Sequence, residues 1–235
     1  MSVKGVLYLI PCPIADGPSQ RVIPAGVNEA IRHIRYFLVE DARSARRFLK
    51  TAGLLPDELD FQTLDKDTTK ADIASLCQPL LKGQDVGVIS EAGAPGVADP
   101  GAIAAAFAHY HNVRVVPLVG PSSILQALMA SGLNGQQFAF HGYLPRDQKE
   151  AAARVRELEK ESKSKRQTQI FIETPHRNNS LFEVLVKTLR PDSLLTIAID
   201  ITGANEFIKT CTAAQWRDQK TNWPKSPAVF LFLAN

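Results

Sequence analysis

Carboxylates stand directly behind two short apolar runs, where a strand would end and a loop begin. Tyr36 to Val39 is followed by Glu40-Asp41-Ala42-Arg43, and Val86 to Ile89 by Ser90-Glu91-Ala92-Gly93-Ala94-Pro95-Gly96-Val97-Ala98-Asp99-Pro100-Gly101. A carboxylate in such a place can accept hydrogen bonds from a ribose or an amine, or take a proton from a weak nucleophile. Small residues around it let ligand atoms approach the backbone closely. In an open α/β sheet, ligands bind beyond the carboxyl ends of the strands. The stretch 85–101 therefore reads as the floor of a cofactor site. Each carboxylate also has a purely structural reading. Asp99 before Pro100 is placed to cap a helix, and Asp41 to cap one that starts at Arg43. Glu91 could be a solvated loop side chain.

A second chemistry lies in the spacing of cations. Arg43, Arg46, Arg47 and Lys50 recur at i, i+3, i+4 and i+7, which is one face of a helix. Four like charges on one face repel, so the face suits an anionic partner such as a phosphate backbone. The alternative is a solvated face with acidic neighbours from elsewhere. The cluster Lys160, Lys163, Lys165 and Arg166 reads as solvated surface. Glu173-Thr174-Pro175-His176-Arg177 follows a strand-like run, with Thr174 expected as N-cap, Pro175 in the first helical turn and His176 a weak candidate base. His33, His109, His111 and His141 show no metal-ligand spacing, so no metal site is expected. There is no GxSxG, no Walker loop and no GxGxxG after the first strand.

These residues need a scaffold, and the chain supplies alternating elements. Val6 to Ile10 reads as a strand stopped at Pro11-Cys12-Pro13. A helix follows from Pro24 to about Ile34, then a strand at 36–39, a helix from about Arg43 to Thr51 and a strand at 59–64. A helix at 72–81, a strand at 85–90, a helix at about 101–109 and a strand at 113–118 complete this half. The alternation predicts a parallel sheet with helices on its faces. Gly120-Pro121 is a natural joint. Beyond it, helices are expected at 122–131, 147–161 and about 178–189, with a polar, mobile loop at 162–166. Strands are expected at 138–141, 170–172, 194–199, 205–212 and 227–233, which predicts a mixed sheet with antiparallel strands at its end. The expected domains are 1–118 and 121–235. The 235 residues, 45% hydrophobic and 22% charged with net charge +3, are ordinary for a globular protein and permit an anionic partner. Cys12, Cys77 and Cys211 fit neither a disulfide framework nor a metal knuckle, which points to a reducing, cytoplasmic compartment. No apolar run approaches the roughly 20 residues of a transmembrane helix, so no membrane partner is expected.

In order along the chain stand Leu7-Tyr-Leu-Ile-Pro-Cys-Pro-Ile14, Glu40-Asp-Ala-Arg43, Ser90-Glu-Ala-Gly-Ala-Pro95, Asp99-Pro-Gly101, Val116-Pro-Leu-Val-Gly-Pro-Ser-Ser123, Phe140-His-Gly-Tyr-Leu-Pro-Arg146 and Glu173-Thr-Pro-His-Arg177. This series resembles the RsmI-type ribosomal RNA small subunit methyltransferases, which 2′-O-methylate a ribose. They belong to the tetrapyrrole methylase superfamily, the class III S-adenosylmethionine-dependent methyltransferases. The resemblance covers nearly the whole chain. It implies a two-domain α/β fold, with an N-terminal parallel and a C-terminal mixed sheet, a homodimer, and S-adenosylmethionine in the cleft between the domains. The cofactor contacts it implies are Pro11, Ser90, Glu91, Ala92, Gly93, Pro95, Val97, Ala98, Asp99, Pro121, Ser122, Ser123 and Thr174. Small-subunit ribosomal RNA would meet Arg43, Arg46, Arg47 and Lys50. The chain departs from the family at Glu91, where an Asp is usual, at Ala94, where a Thr is usual, and at Ala98, where a Ser is usual. A Gly-Asn usual after the first Pro-x-Pro-Ile is absent, Ala15-Asp16-Gly17 standing there instead.

Methyl transfer constrains the roles further. The sulfonium loses its charge during transfer, so a carboxylate held against sulfur would favour the ground state. Glu91 and Asp99 are therefore expected on ribose, amine or backbone groups. A ribose hydroxyl is a poor nucleophile and benefits from a general base, for which Glu40 and Asp41 are the candidates. Two alternatives stay open: a methyltransferase of the same fold acting on a small molecule such as a tetrapyrrole, and a paralogue that binds S-adenosylmethionine without catalysis.

Overall fold

The computed structural model describes residues 3–219 and 221–235. The chain forms two compact units, the first ending at Ser122 and the second starting at Ser123. In the first unit the elements are β1 (Val6–Ile10), α1 (Ala25–Ile31), β2 (Tyr36–Val39), α2 (Ala42–Thr51), β3 (Asp60–Thr63), α3 (Lys70–Leu76), α4 (Gln78–Leu81), β4 (Val86–Ile89), α5 (Gly101–Tyr110) and β5 (Arg114–Pro117). The strands form one five-stranded sheet in the order β3-β2-β4-β1-β5. Every pairing in it is parallel.

Side-chain alternation sends each strand's residues to both faces, and both faces are covered. Ile10, Phe37, Val39 and Ile89 pack with Val27 and Ile31 of α1 and Phe48 and Leu49 of α2. Leu7, Leu38, Val86 and Val88 pack on the other side with Ile73, Cys77, Leu80, Ala104 and Ala108. The helix expected at 72–81 is broken into α3 and α4 around Cys77. Pro79 has no N–H to continue the helical ladder, and the Cys77 N–H closes α3 on the Ile73 carbonyl.

The second unit comprises α6 (Ser123–Ser131), β6 (Phe138–Tyr143), α7 (Gln148–Lys165), β7 (Thr168–Glu173), α8 (Asn178–Thr188), β8 (Leu194–Ile199), β9 (Phe207–Thr212), α9 (Ala213–Arg217) and β10 (Ala228–Leu233). Its five-stranded sheet runs β6-β7-β10-β8-β9. β6 and β7 are parallel and the remaining pairs antiparallel. Its core joins Val155 and Leu158 of α7, Leu181 and Leu185 of α8 and Trp216 of α9 to Phe171, Ile197 and Phe230 of the sheet.

Two expectations for this half are corrected. Residues 162–165 are helical, and α7 ends only at Arg166, which adopts the left-handed conformation of a helix cap. The polar run hides an anchor. Ser162 is fully buried, and its hydroxyl accepts the N–H of Ala234 at 2.9 Å. Thr174 is not the N-cap of α8, which starts at Asn178. The buried Glu173 carboxylate takes both the N–H of Thr174, at 2.6 Å, and its hydroxyl, at 3.2 Å. That holds residues 174–177 in a turn ahead of the helix.

Candidate functional site

The strand order creates one place where connections part. From β1 the chain crosses to β2 through α1 on one face. From β4 it crosses over β1 to β5 through α5 on the opposite face. β1 and β4 are neighbours, so their carboxyl ends form a topological switch point, where open α/β sheets leave a crevice for ligands. Here the crevice has a stitched floor. Cys12 and Gly93 exchange backbone hydrogen bonds, Cys12 N–H to Gly93 O at 2.9 Å and Gly93 N–H to Cys12 O at 3.1 Å. Gly93 sits at φ 73°, a conformation that favours glycine. The loop after β5 closes in from the other side of β1. A Cβ on Gly120 would lie 2.3 Å from the Pro11 ring, so only glycine fits against that proline.

The loop 90–101 is held by its own side chains. Ser90 is buried and its hydroxyl faces the carbonyls of Gly93, at 3.2 Å, and Ala92, at 3.3 Å. Asp99 Oδ1 accepts the N–H of Gly96 at 2.8 Å and of Gly101 at 2.7 Å. Asp99 thus accepts the first amide of α5 and ties the middle of the loop to that helix, but the N-cap position itself falls to Pro100, one residue later than expected, because the helix starts only at Gly101. Ala98 is held at φ 56° between these anchors. With Gly93 and Pro95 buried, the residues left facing outward are Glu91, Ala92, Val97 and Ala98. Pro11 and Pro121 are buried beside them and Ser122 is half-buried at the end of this unit. Ser123, which opens α6, and Thr174, exposed after β7, lie in the second unit.

The two candidate bases differ in kind. The Asp41 carboxylate accepts the N–H of Ser44 at 2.7 Å as the N-cap of α2. That hydrogen bond, with the Ser44 hydroxyl and the Arg43 charge also contributing, pulls its pKa below the ordinary aspartate value. Glu40 moves the other way. Partial desolvation raises its pKa, and the charges of Asp99, Glu91 and Asp65 add to the rise, partly offset by a hydrogen bond from the Glu91 backbone N–H. The end of β2 therefore lies beside the loop after β4, a proximity that no spacing in the sequence announces. Cys12, in the floor, is pushed up to about 12 by burial and then by the Asp99 charge, so it stays a neutral thiol. Among the described residues no group of three His, Cys, Asp or Glu side chains could hold a metal ion.

On α2 the four cations do not act alike. Arg46 reaches Asp57 at 3.4 Å and the Pro56 carbonyl at 3.4 Å, with its guanidinium 4.7 Å from the centre of the Phe61 ring. Arg43, Arg47 and Lys50 are exposed and, among the described residues, form no ion pair. The second basic cluster lies at the end of α7, where Lys165 pairs with Glu161 at 3.3 Å. Lys163 and Arg166 line a hollow of about 620 Å³ with Asn134 and Asn235. His176 is exposed, and His141 is held by Gln169 at 2.6 Å. Sequence reasoning missed Arg177, which pairs with buried Glu173 at 3.3 Å and donates to the Pro145 carbonyl at 3.2 Å. Their i, i+4 spacing was the available signal.

Known proteins resemble this chain over most of its length. The chain is 26% identical over 230 residues to Ribosomal RNA small subunit methyltransferase I of Buchnera aphidicola subsp. Baizongia pistaciae, covering 97% of this chain and 75% of the relative. It is 28% identical over 231 residues to the protein of that name from Vibrio cholerae serotype O1, covering 96% and 76%. Uroporphyrin-III-C-methyltransferase from Thermus thermophilus shares the fold, with a TM-score of 0.55 over 97% of this chain and 92% of that one at 17% identity. The family profile described as Tetrapyrrole (Corrin/Porphyrin) Methylases matches residues 21–216. That span begins ahead of α1 and ends in α9, so it takes in β2 to β9 and the whole loop 90–101, with β1 before it and β10 after it. The chain is a methyltransferase of the tetrapyrrole (corrin/porphyrin) methylase family.

Proposed function

We propose that the chain transfers a methyl group from S-adenosylmethionine to a ribose 2′-hydroxyl of small-subunit ribosomal RNA, with the cofactor at the carboxyl ends of β1 and β4. The observation that carries this reading is the switch-point crevice itself. It is floored by the Cys12–Gly93 bridge and walled by a loop whose Ser90 and Asp99 side chains hold the loop's own backbone. The donor set suits this cofactor. Glu91 offers a carboxylate for a ribose diol, and the small residues Ala92 and Ala98, with Val97, leave backbone groups open to an adenine or an amino acid moiety. Bound there, S-adenosylmethionine supplies a methyl group already activated on a positive sulfur. The protein's part is then alignment and proton removal.

Glu40 is the residue for the proton. Its raised pKa brings it nearer to that of a hydroxyl than an ordinary glutamate, and it stands beside the loop after β4. With S-adenosylmethionine bound, a Glu40 oxygen would take the proton that the ribose hydroxyl gives up on accepting the methyl group. Asp41, engaged as a helix cap, positions α2 and is not the base. The relatives' names support RNA as acceptor, as do the exposed cations Arg43, Arg47 and Lys50 of α2. We infer further that the protein works in the cytoplasm, which the free thiols of Cys12, Cys77 and Cys211 suit, and as the homodimer that the family resemblance implies.

The test is methyl transfer from radiolabelled S-adenosylmethionine to small ribosomal subunits purified from a strain lacking this protein, followed by nuclease digestion and mass spectrometry. Label in a 2′-O-methylated nucleotide supports the reading. Label that enters a tetrapyrrole and not RNA overturns the acceptor, and absence of S-adenosylmethionine binding by calorimetry overturns the whole.

A further inference from the structure

We propose that Arg43, Arg47 and Lys50 form a track that binds the phosphate backbone of the RNA substrate, and that Arg46, on the same helix face, is a structural clamp outside it. This deepens the ribosomal RNA reading and rests on it. α2 begins just after Glu40, so the track starts at the methyl-transfer site and runs back along the sheet face. Arg43 and Lys50 are seven residues apart, a rise of about 10 Å, enough to follow neighbouring nucleotides. Ala45, Phe48 and Leu49 are buried beneath the helix, and the three cations are exposed above it.

The two basic clusters of the chain separate a binding face from a merely solvated one. α7 carries Glu150, Glu157, Glu159 and Glu161 among its cations, and Arg154 and Lys165 pair with Glu157 and Glu161 within the helix. α2, Ala42 to Thr51, contains no acidic residue. Asp41, the nearest carboxylate before it, is held by the Ser44 amide. Apart from the Asp41 charge beside Arg43 at the helix start, the like charges at i+3 and i+4 therefore stand without compensation within the helix, an arrangement that an anionic polymer relieves. Arg46 lacks that freedom. Its guanidinium is stacked over Phe61 and directed at Asp57 and the Pro56 carbonyl, which ties α2 to the turn before β3.

The experiment measures the affinity of the full-length protein for a short fluorescein-labelled single-stranded RNA as a function of salt, for the wild type, R43Q, R47Q, K50Q and R46Q. Each phosphate contact to a single strand contributes about 0.7 to the slope of log K against log salt. R43Q, R47Q and K50Q are each expected to flatten the slope by about that amount while melting like the wild type. R46Q is expected to keep the wild-type slope and to melt at a lower temperature. A slope flattened by R46Q as by the others, or unchanged in R43Q, R47Q and K50Q, overturns the track. The transfer assay on small ribosomal subunits keeps the two ideas apart. Wild-type methylation of RNA with unaltered slopes in the variants removes the track alone, whereas no transfer to RNA by the wild type removes the reading on which it rests.

Discussion

Glu40 and Asp41 are neighbours in the chain with opposite environments, and the roles proposed for them rest on that difference. Glu40→Gln removes the proposed base while keeping shape and the hydrogen bond from the Glu91 amide. The expected outcome is a fall in kcat of about 10²- to 10⁴-fold with S-adenosylmethionine affinity nearly unchanged, read by steady-state kinetics and calorimetry. The pH dependence follows from the sign of the shift. A carboxyl whose pKa is raised on folding favours the protonated folded state, so its contribution to stability is present below the unfolded pKa and is lost as pH rises through the folded one. Glu40→Gln should therefore melt above the wild type near neutral pH, and the gap should close in acid. Asp41 behaves in reverse, since its pKa is lowered. Its contribution is present at neutral pH and lost as pH falls through the folded value. Asp41→Ala should lower the urea midpoint near neutral pH, with a loss that shrinks in acid.

At the scale of elements, the loop 90–101 is a piece of built structure and not a flexible lid. Asp99→Ala leaves the amides of Gly96 and Gly101 without their acceptor, which should cost about 1–3 kcal/mol in denaturant unfolding. The same change should weaken S-adenosylmethionine binding in calorimetry, because the wall of the crevice is no longer fixed. Gly120→Ala should also destabilise, by about 1–3 kcal/mol, since its methyl group would meet the rigid Pro11 ring and neither loop can yield without moving β1 or β5. Much of this level is legible in the sequence. Val6 to Ile10, Tyr36 to Val39 and Leu194 to Ile199 have the strand bounds that their apolar runs announce. What is not legible depends on partners distant in the chain. Ser162 continues α7 because it meets Ala234. Thr174 loses the cap position to the carboxylate of Glu173. Arg46 turns away from its helical neighbours toward Phe61.

For the whole molecule, the decisive fact is strand order, which a list of strands cannot give. β4 inserts between β2 and β1, and that insertion alone brings Glu40, the 90–101 loop and the Pro11-Cys12 corner to one edge of one sheet. The motifs in the sequence point to these residues separately, and their chemistry becomes coherent only at the switch point. The same fold serves methylases of other acceptors, so the acceptor rests on the α2 face and on the relatives' names. The most direct test is therefore the fate of the methyl group. With labelled S-adenosylmethionine and small ribosomal subunits from a strain lacking the protein, label is expected in a ribose 2′-O-methyl nucleotide of the ribosomal RNA, and Glu40→Gln is expected to abolish most of it. Label on a base, or none in RNA under conditions where S-adenosylmethionine binds, would contradict the account.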